Sequence, residues 1–451
     1  MILIVVEGLA LFVAVAGSIF AWGRPVVLDE RGVVTVLGQA AAISLCCIVA
    51  FYYNDLYDLR IVRSFSEFGS RLLQSFGVAL ILLAGFYTLF PETRIADGRF
   101  PSSLLMIVGV LLPLRAIGYT IMRWRAFADR VLILGTGTMA RTLVQEIDAR
   151  PHYRYAIVAV VDDGHGHEGS RLPYPLLGPL EHLDKIIEEI APDRIIVALT
   201  ERRGRMPMRQ LLDAEAHGIL VEDGLSTYET FTGKLAIEAL TPSFLIFSGA
   251  FRKSRMLLAT RRLISLGVAA VGLVLTAPLM ALTALAIKLD SSGPLFFIDE
   301  RASRGGHPFR LVKFRTMYEQ ASELEGHSVW SRDDSNRITR VGRWIRKLRV
   351  DELPQFWNIL KGDMDLVGPR PEILRNVKTM SEQIPYYSLR HVVRPGLTGW
   401  AQIRHGYSVS LEQVTEKIRH DLFYIKHMSL WLDLRILADT VKIVLFGRGA
   451  Q

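Results

Sequence analysis

Residues 263–287 read LISLGVAAVGLVLTAPLMALTALAI, an apolar run longer than the roughly 20 residues that cross a bilayer. Pro278 lies within it, where a proline removes a backbone donor and clashes with the carbonyl one turn back. Basic residues flank the run on both sides, with Arg261 and Arg262 before it and Lys288 after it, although one flank of an ordinary span is depleted of them. These features predict a re-entrant helix over about 263–287, broken at Pro278, that returns to the face it entered. A kinked full span is the alternative.

The first quarter of the chain contains further apolar stretches separated by short loops, each long enough to cross a bilayer. They are residues 2–22, 33–53, 72–90 and 102–122. They predict a four-helix transmembrane bundle over residues 1–125, whose first helix is retained rather than cleaved as a signal peptide. The hydrophobic share of the whole chain, 50%, agrees with a membrane protein.

Charged residues near these stretches predict their orientation. Arginines concentrate after the second and fourth stretches, which puts both ends of the bundle in the cytoplasm by the positive-inside rule. These arginines are Arg60, Arg63, Arg71, Arg123, Arg125 and Arg130. Glu7 and Arg115 lie within stretches, where an ionisable side chain marks a functional site, pairs inside the bundle or reaches a helix end. Cys46 and Cys47, the only cysteines, are adjacent and have the spacing of neither a disulfide framework nor a metal site.

From residue 131 the pattern changes to strands that alternate with helices. Residues 131–140 read VLILGTGTMA, an apolar strand that enters a Gly-x-Gly-x-x-Ala turn and then a helix. Similar strands end near residues 161 and 199. The alternation predicts a Rossmann-like α/β domain with a parallel sheet over residues 126–250.

The glycine turn of this domain has two interpretations. Gly135 and Gly137 could let backbone N–H groups cradle a nucleotide phosphate, with Asp162 or Asp163 on a ribose hydroxyl. Alternatively, small residues at the turn serve only the close packing of helix on sheet. Both interpretations stay open at this point.

The C-terminal region, residues 251–451, carries the charged motifs. The chain has a net charge of +8, which beside membrane spans favours anionic lipid or phosphorylated substrates. No sequence signature of nucleic-acid binding occurs, so we expect no nucleic-acid partner. Residues 337–350 have apolar positions at helical spacing and cations on the other faces, as in a helix at a membrane interface or beside an anionic substrate; a solvated basic face is the plain alternative.

Two adjacent carboxylates, Asp351 and Glu352, follow this basic segment directly. Neighbouring residues on a helix diverge by about 100°, so the pair would divide its roles: one attacks phosphorus and the other orients Mg²⁺ or handles a proton. Such an attack requires cations that neutralise the phosphate oxygens. The candidates for phosphate binding are Lys313, Arg315, Arg346 and Arg370.

Several motifs in this region resemble the bacterial sugar transferases, which are polyprenyl-phosphate hexose-1-phosphate transferases. The resemblance covers about residues 255–450. The bundle and Rossmann-like domain resemble the large, four-span subclass of exopolysaccharide or O-antigen assembly. The motifs are SGPLFF at 292–297, KFRTM at 313–317, DELPQFWNILKGD at 351–363, GPRPE at 368–372 and RPGLTGW at 394–400. Asp365 stands where many members carry serine, and Ala277 where some do.

The resemblance implies a two-step reaction at the cytoplasmic face of the bacterial inner membrane. Asp351 would attack the β-phosphorus of a nucleoside-diphosphate sugar, expected to be a UDP-hexose, and release UMP. Undecaprenyl phosphate would then take the sugar phosphate from Asp351. Glu352 would assist by binding Mg²⁺ or moving a proton, so both carboxylates are candidate metal ligands. The resemblance also implies a homodimer.

Two rival functions remain. A membrane-anchored nucleotide-sugar dehydratase also joins four spans to a Rossmann domain, but it needs a Tyr-x-x-x-Lys pair, and none occurs after the glycine turn. A degenerate transferase could act as a scaffold for a polysaccharide assembly complex; the intact Asp351, Glu352 and Arg370 argue against this.

Overall fold

The computed structural model describes most of the chain. It covers residues 2–21, 30–54, 56–57, 65–91, 105–114, 128–149, 155–162, 172–199, 206–237, 240, 249, 251–318, 337–404 and 410–446. These residues form two compact units. The first comprises Met1–Val131, Ile147–Val158 and Ile190–Arg194, and the second comprises Leu132–Glu146, Ala159–Glu189 and Ile195–Gln451. The three-domain division at residues 125 and 250 stays a prediction.

The N-terminal helices share one apolar core. They are α1 (Ile2–Ala21), α2 (Glu30–Tyr53), α3 (Phe65–Leu89) and α4 (Leu105–Leu114). Fully buried Leu11, Phe51 and Leu111 contribute to the core, and the Phe51 and Phe76 rings meet edge to face at 5.8 Å. Val33–Tyr53 and Arg71–Leu89 are long and apolar enough to cross a membrane. In α1 and α4 the apolar segments whose side chains the structure describes, Val5–Ile19 and Leu105–Leu114, are shorter, so the four-helix transmembrane bundle stays a prediction.

Glu7 and Arg115 are the two ionisable residues that the sequence places within predicted spans. Glu7 is buried in α1, which agrees with a side chain that faces other helices rather than lipid. Arg115 and most of the predicted fourth stretch beyond residue 114 lie outside the described residues.

The central region contains a parallel sheet, as the alternation of strands and helices predicts. The strands are β1 (Asp129–Leu134), β2 (Tyr155–Val161), β3 (Arg194–Val197) and β4 (Leu220–Asp223), in the order β2-β1-β3-β4. The helices are α5 (Thr138–Asp148), α6 (Leu183–Ile190), α7 (Met208–Ala216) and α8 (Gly224–Thr232). Residues 131–134 of β1 are fully buried, which explains why this strand reads as a continuous apolar run.

The C-terminal region is mainly helical and starts with α9 (Arg255–Asp290). Two small sheets follow: the antiparallel hairpin of β5 (Phe296–Ala302) and β6 (Pro308–Phe314), and the parallel pair of β7 (Asp365–Val367) and β8 (Gly396–Thr398). The remaining helices are α10 (Arg340–Lys347), α11 (Gln355–Lys361), α12 (Leu374–Gln383), α13 (Trp400–Arg404), α14 (Leu411–Lys426) and α15 (Leu430–Phe446).

Helix α9 contains the predicted membrane segment. Pro278 lies inside one continuous helix of 36 residues, so it does not separate two helices as the sequence predicts. The hydroxyls of Thr276 and Thr283 donate to the carbonyls of Gly272 and Leu279, at 2.7 and 2.8 Å. Such bonds to the preceding turn often bend helices. Most apolar side chains of α9 are exposed, as expected for a surface that faces lipid.

Both ends of α9 are bonded to the rest of the second compact unit, of which α9 is a part. Near the start, Arg261 donates to the Val367 carbonyl at 2.8 Å and pairs with Asp433 at 2.5 Å. At the end, the carboxylate of Asp290 accepts the N–H of Val341 at 2.9 Å. Arg261 is buried, so its charge serves packing within the protein rather than contact with lipid head groups.

Gly272 allows α11 to pack against the middle of α9. A Cβ at this position would meet the Phe356 ring at 2.9 Å, whereas a Cβ at Gly267 would meet nothing within 4 Å. We therefore expect Gly272→Ala to lower the free energy of unfolding by about 1–3 kcal/mol, the usual cost of overpacking. Unfolding of the detergent-solubilised protein measures this. Gly267→Ala is the matched control, and equal effects of the two substitutions would contradict the packing.

Candidate active site

The two carboxylates lie in a short turn between α10 and α11. Asp351 and Glu352 belong to a single 3₁₀ turn, Val350–Glu352, which begins after Arg349. Arg349 has a left-handed backbone, with φ of 56°, a conformation that costs a non-glycine residue about 1–3 kcal/mol and is frequent at functional sites. This reversal ends the basic helix and turns the carboxylates toward β6.

The amide of Asn358 fixes α11 against β6. Its Oδ1 accepts the N–H of Val312 at 3.0 Å, and its Nδ2 donates to the carbonyl of Arg310 at 2.7 Å. Asn358 therefore substitutes for a neighbouring strand at this edge of β6. The next residue of β6 is Lys313, so these bonds set the distance between its ammonium and Glu352.

Glu352 is the centre of the charged cluster. Its Oε1 accepts a hydrogen bond from Arg370 Nη2 at 2.9 Å and lies 3.4 Å from Lys313 Nζ and 3.7 Å from Arg349 Nη1. Burial raises the pKa of Glu352, but Arg370, Lys313 and Arg349 outweigh it and lower the pKa to about 2. Glu352 is therefore ionised at any physiological pH and holds three cations together.

Asp351 has the opposite environment. Burial, and then the charge of Glu352, raise the pKa of Asp351, while Lys313, Arg346 and Arg349 oppose them. Its Oδ1 is buried and has no hydrogen-bond partner among the described residues. A buried carboxylate oxygen without a partner is costly, and it is also available to attack a substrate or to bind a cation.

Lys313 loses its proton at a lower pH than an ordinary lysine, because its pKa is lowered. Burial and the neighbouring Arg370 lower its pKa to about 8, although Glu352 and Asp351 act in the other direction. A lysine in this state still carries its charge near neutral pH and loses it in mildly alkaline solution.

Arg346 and Arg315 differ from each other, although both are predicted to bind phosphate. Arg346 lies near enough to Asp351 to lower the pKa of that carboxyl group. The Nε of Arg346 donates to Thr316 Oγ1 at 2.8 Å. Arg315 is buried and donates to the carbonyls of Ser291 and Ser292 at 2.8 and 2.7 Å. Because these bonds hold the chain that leaves α9, the geometry of Arg315 favours a structural role, and its phosphate binding stays a prediction without support.

The sequence predicts Mg²⁺ at this site, and the two carboxylates fit that ion differently. Magnesium is commonly bound by one or two carboxylates together with substrate phosphates and water. Oδ1 of Asp351 fits this description because no residue that the structure describes bonds to it. Oε1 of Glu352 does not, because three cations already surround it. No group of three or more potential metal-ligating side chains occurs among the described residues.

Arg349 is a candidate site residue that the sequence pattern does not single out. It pairs with Glu352 and acts to lower the pKa of Asp351, against burial and Glu352, whereas in the sequence it belongs only to the basic segment. Its position three residues before Glu352 is the available signal, since residues at this spacing meet on one turn of helix.

The glycine turn of the Rossmann-like region favours the packing interpretation. A Cβ at Gly135, whose φ is 112°, would meet the Ala198 carbonyl oxygen at 2.8 Å. The N–H of Thr136 donates to Asp162 at 2.9 Å, and its hydroxyl also bonds that carboxylate. The carboxylate of Asp162 thus accepts the hydrogen bond of a backbone N–H that a bound phosphate would otherwise accept. Asp163 lies outside the described residues, and nucleotide binding through Gly135, Gly137 and Asp162 stays a prediction.

Comparison with known proteins identifies the family. The family model described as bacterial sugar transferase matches residues 256–447. The UDP-glucose:undecaprenyl-phosphate glucose-1-phosphate transferase of Caulobacter vibrioides is 43% identical over 187 residues, which cover 41% of this chain and 69% of that protein. This chain belongs to the bacterial sugar transferase family. In the described part of the chain, three helices are long and apolar enough to cross a membrane. This family member is a membrane protein.

Two other relatives are similar over different lengths. The undecaprenyl-phosphate glucose phosphotransferase of Komagataeibacter xylinus is 33% identical over 365 residues, covering 77% of this chain and 65% of the relative. The UDP-N-acetylgalactosamine-undecaprenyl-phosphate N-acetylgalactosaminephosphotransferase of Aeromonas hydrophila is 45% identical over 223 residues, covering 49% of this chain and 52% of the relative. The chain thus aligns with between half and two thirds of these two proteins. A second family model, described as a CoA-binding domain, matches residues 53–213.

The lowered pKa of Lys313 predicts a pH dependence. Lys313 is cationic below a pH of about 8 and neutral above it, so we expect the affinity for UDP to fall by up to about tenfold between about pH 7 and pH 9. Calorimetric titration with UDP measures this. In Lys313→Arg the side chain stays charged over this range, so the fall should be much smaller. The same fall in both proteins would contradict the assignment.

The different contacts of Arg315 and Arg370 predict different mutant phenotypes. Arg315→Met leaves two carbonyls at the end of α9 without their donor, and we expect it to lower the free energy of unfolding by about 1–3 kcal/mol. Arg370→Met should weaken UDP binding with a smaller effect on unfolding, because its guanidinium is partly exposed beside Glu352. Unfolding and UDP titration of both variants test this, and the reverse pattern would refute the assignment.

Proposed function

We propose that this protein transfers a sugar 1-phosphate from a nucleoside-diphosphate sugar, a UDP-hexose, to undecaprenyl phosphate. The observation that carries the proposal is the buried Oδ1 of Asp351, which no described residue bonds and which lies beside the cations held by Glu352. Relatives that are named as undecaprenyl-phosphate sugar phosphotransferases support it. The product would start the repeat unit of an exopolysaccharide or O-antigen.

In the first step a carboxylate oxygen of Asp351 attacks the β-phosphorus of the nucleotide sugar. A bond forms between this oxygen and phosphorus, and the bond from phosphorus to the bridging oxygen breaks, so that UMP leaves with the electron pair. The sugar phosphate remains on Asp351 as an acyl phosphate. Nearby Glu352 and Asp351 would repel the diphosphate, and Lys313, Arg349 and Arg370 offset this repulsion.

In the second step a phosphate oxygen of undecaprenyl phosphate attacks the same phosphorus. The bond between Asp351 and phosphorus breaks, and the carboxylate is regenerated. Mg²⁺ bound through Asp351 and the diphosphate would neutralise charge on the phosphate oxygens. The contacts of Glu352 support a role in positioning cations more than a role as a metal ligand.

The contacts of α9 support a re-entrant path rather than a full span. A crossing needs about 20 residues in the hydrocarbon core. In α9, residues that contact the rest of the unit recur along the helix, and no stretch of that length lies between them. They are Arg261, Ser265, Gly272, Met280, Ala284, Ile287 and Asp290. We propose that α9 stays one helix but bends near Pro278, where Thr276 and Thr283 bond the preceding turns. It would then dip into the cytoplasmic leaflet of the inner membrane and return, so that the lipid phosphate reaches Asp351.

The identity of the sugar and the oligomeric state are separate matters. The relatives are named for glucose and for N-acetylgalactosamine, so membership of the family does not select one sugar. A panel of UDP-sugars scored by UMP release would select it. The homodimer remains a proposal from the resemblance, which light scattering of the detergent-solubilised protein tests.

The covalent step predicts release of UMP without the lipid acceptor. Purified protein with Mg²⁺ and the preferred UDP-sugar should release about one UMP per active site and gain the mass of the sugar phosphate. Asp351→Asn should abolish both. The control is Asp213→Asn, which changes an exposed carboxylate on α7 and should behave as the wild type. Full turnover by Asp351→Asn would refute Asp351 as the nucleophile.

The re-entrant path predicts the side on which each end of α9 is labelled. Met256 and Leu289 lie at the two ends of α9, outside the apolar run 263–287, and both are 80% exposed, so a cysteine at either position should react with a thiol reagent that does not cross membranes. With Cys46 and Cys47 replaced by serine, we expect Met256→Cys and Leu289→Cys to be labelled from the same side in right-side-out and inverted vesicles. Labelling from opposite sides would establish a full span.

A further inference from the structure

The turn that carries Arg370 is held through its carbonyl groups. Pro369 and Pro371 have no backbone N–H, so two of the possible donors of this turn are missing. Four consecutive carbonyl oxygens accept hydrogen bonds instead. The bonds run from Gly396 N to Pro369 O at 2.9 Å, from Arg390 Nη2 to Arg370 O at 2.8 Å, from Arg301 Nη1 to Pro371 O at 3.3 Å and from Ala302 N to Glu372 O at 3.0 Å.

Arg390 makes the contact to Arg370 from inside the protein. Its side chain is 1% exposed, and its Nη2 also donates to Asp421 at 2.9 Å. Its Nη1 donates to the hydroxyl of Tyr387 at 3.0 Å. A planar guanidinium that is bonded on both of its terminal nitrogens has little freedom to move. The carbonyl of Arg370 is therefore fixed to a rigid group.

Helix α14 provides the charges that hold this group in place. Lys417 and Asp421 lie one turn apart, so they project from the same face of α14. Lys417 pairs with Glu372 at 3.3 Å, and Asp421 pairs with Arg390. Burial raises the pKa of Glu372, but Lys417 and Arg390 outweigh it and lower the pKa to about 2. This face of α14 thus places a charge of opposite sign against each of two groups, Lys417 against Glu372 of the turn and Asp421 against Arg390.

We propose that Arg390 and Asp421 are positioning residues for the sugar-phosphate transfer. Through the carbonyl of Arg370 they set the place where its guanidinium meets Glu352 and the substrate diphosphate. The proposal rests on the proposed function. It differs from a purely structural role, in which the buried pair of Arg390 and Asp421 would stabilise the fold without affecting catalysis beyond the loss of folded protein.

The test compares conservative substitutions with a matched buried pair. Lysine at position 390 keeps the charge but loses the planar fork, so we expect Arg390→Lys to lower kcat/KM for the UDP-sugar by about 10- to 100-fold, as misplacement of a positioning group does. Asp421→Asn should act in the same direction. Glu229→Gln is the control, since Glu229 is 2% exposed and pairs with Lys426 at 2.7 Å, also on α14, but does not contact the turn. It should change the unfolding temperature more than kcat/KM.

A double-mutant cycle separates positioning from structure. If Arg390 acts through Arg370, Arg390→Lys should have little further effect on kcat/KM in an Arg370→Ala background. Losses that multiply in the double mutant would overturn the proposal, and so would an unchanged kcat/KM in Arg390→Lys.

Hydrogen exchange gives a readout that needs no activity. Peptides that span residues 366–376 should exchange faster in Arg390→Lys than in the wild type, while Glu229→Gln leaves them unchanged. Equal exchange in Arg390→Lys and the wild type would overturn the linkage. A wild-type protein that releases no UMP from any UDP-sugar would instead refute the proposed function, and the exchange comparison would still decide whether Arg390 holds the turn.

Discussion

Lys313, Arg349 and Arg370 converge on a single oxygen, Oε1 of Glu352. Two like charges about 4 Å apart repel by roughly 4 kcal/mol when the effective dielectric constant is near 20. The shared carboxylate offsets this repulsion, while burial, and then the charge of Arg370, lower the pKa of Lys313. Glu352 therefore keeps the three cations in place, as the proposed binding of a diphosphate requires. Asp351, its neighbour, keeps a buried oxygen that has no partner in the described part of the chain, because the cations are directed to Glu352.

The surrounding elements each fix one member of this cluster. Asn358 holds β6 and thus Lys313, the left-handed Arg349 turns the carboxylates out of the helix, and the proline-flanked turn presents Arg370. Helix α9, which is apolar and long enough to enter a membrane, is held within the same unit by contacts that recur from Arg261 to Asp290. The candidate active site and the apolar surface of α9 are consequently linked within one unit, which suits the proposed reaction between a soluble nucleotide sugar and a lipid phosphate.

Local chemistry made several features predictable. The apolar run of α9, the alternation that forms the parallel sheet and the grouping of Asp351 and Glu352 with Lys313 and Arg370 all follow from spacing, turn residues and family motifs. Other predictions depended on partners that are distant in the chain. Arg315 binds carbonyls more than 20 residues away, and Arg261 and Arg262, interpreted as flanking charges, bond backbone and carboxylate groups about 100 or more residues away. A charge pattern shows where cations are, but not which acceptors they meet.

The sequence by itself determined that this is a membrane protein of the bacterial sugar transferase family, because apolar length and short motifs are local properties that need no folding to be recognised. Only the tertiary structure decided how the charges are shared. Glu352 takes three cations, Asp351 keeps an oxygen that has no partner among the described residues, and Arg390, which is paired with Asp421 of α14, reaches the carbonyl of Arg370. These pairings depend on distances across the folded chain, and the pKa of each group follows from burial and from neighbours that the linear order does not reveal.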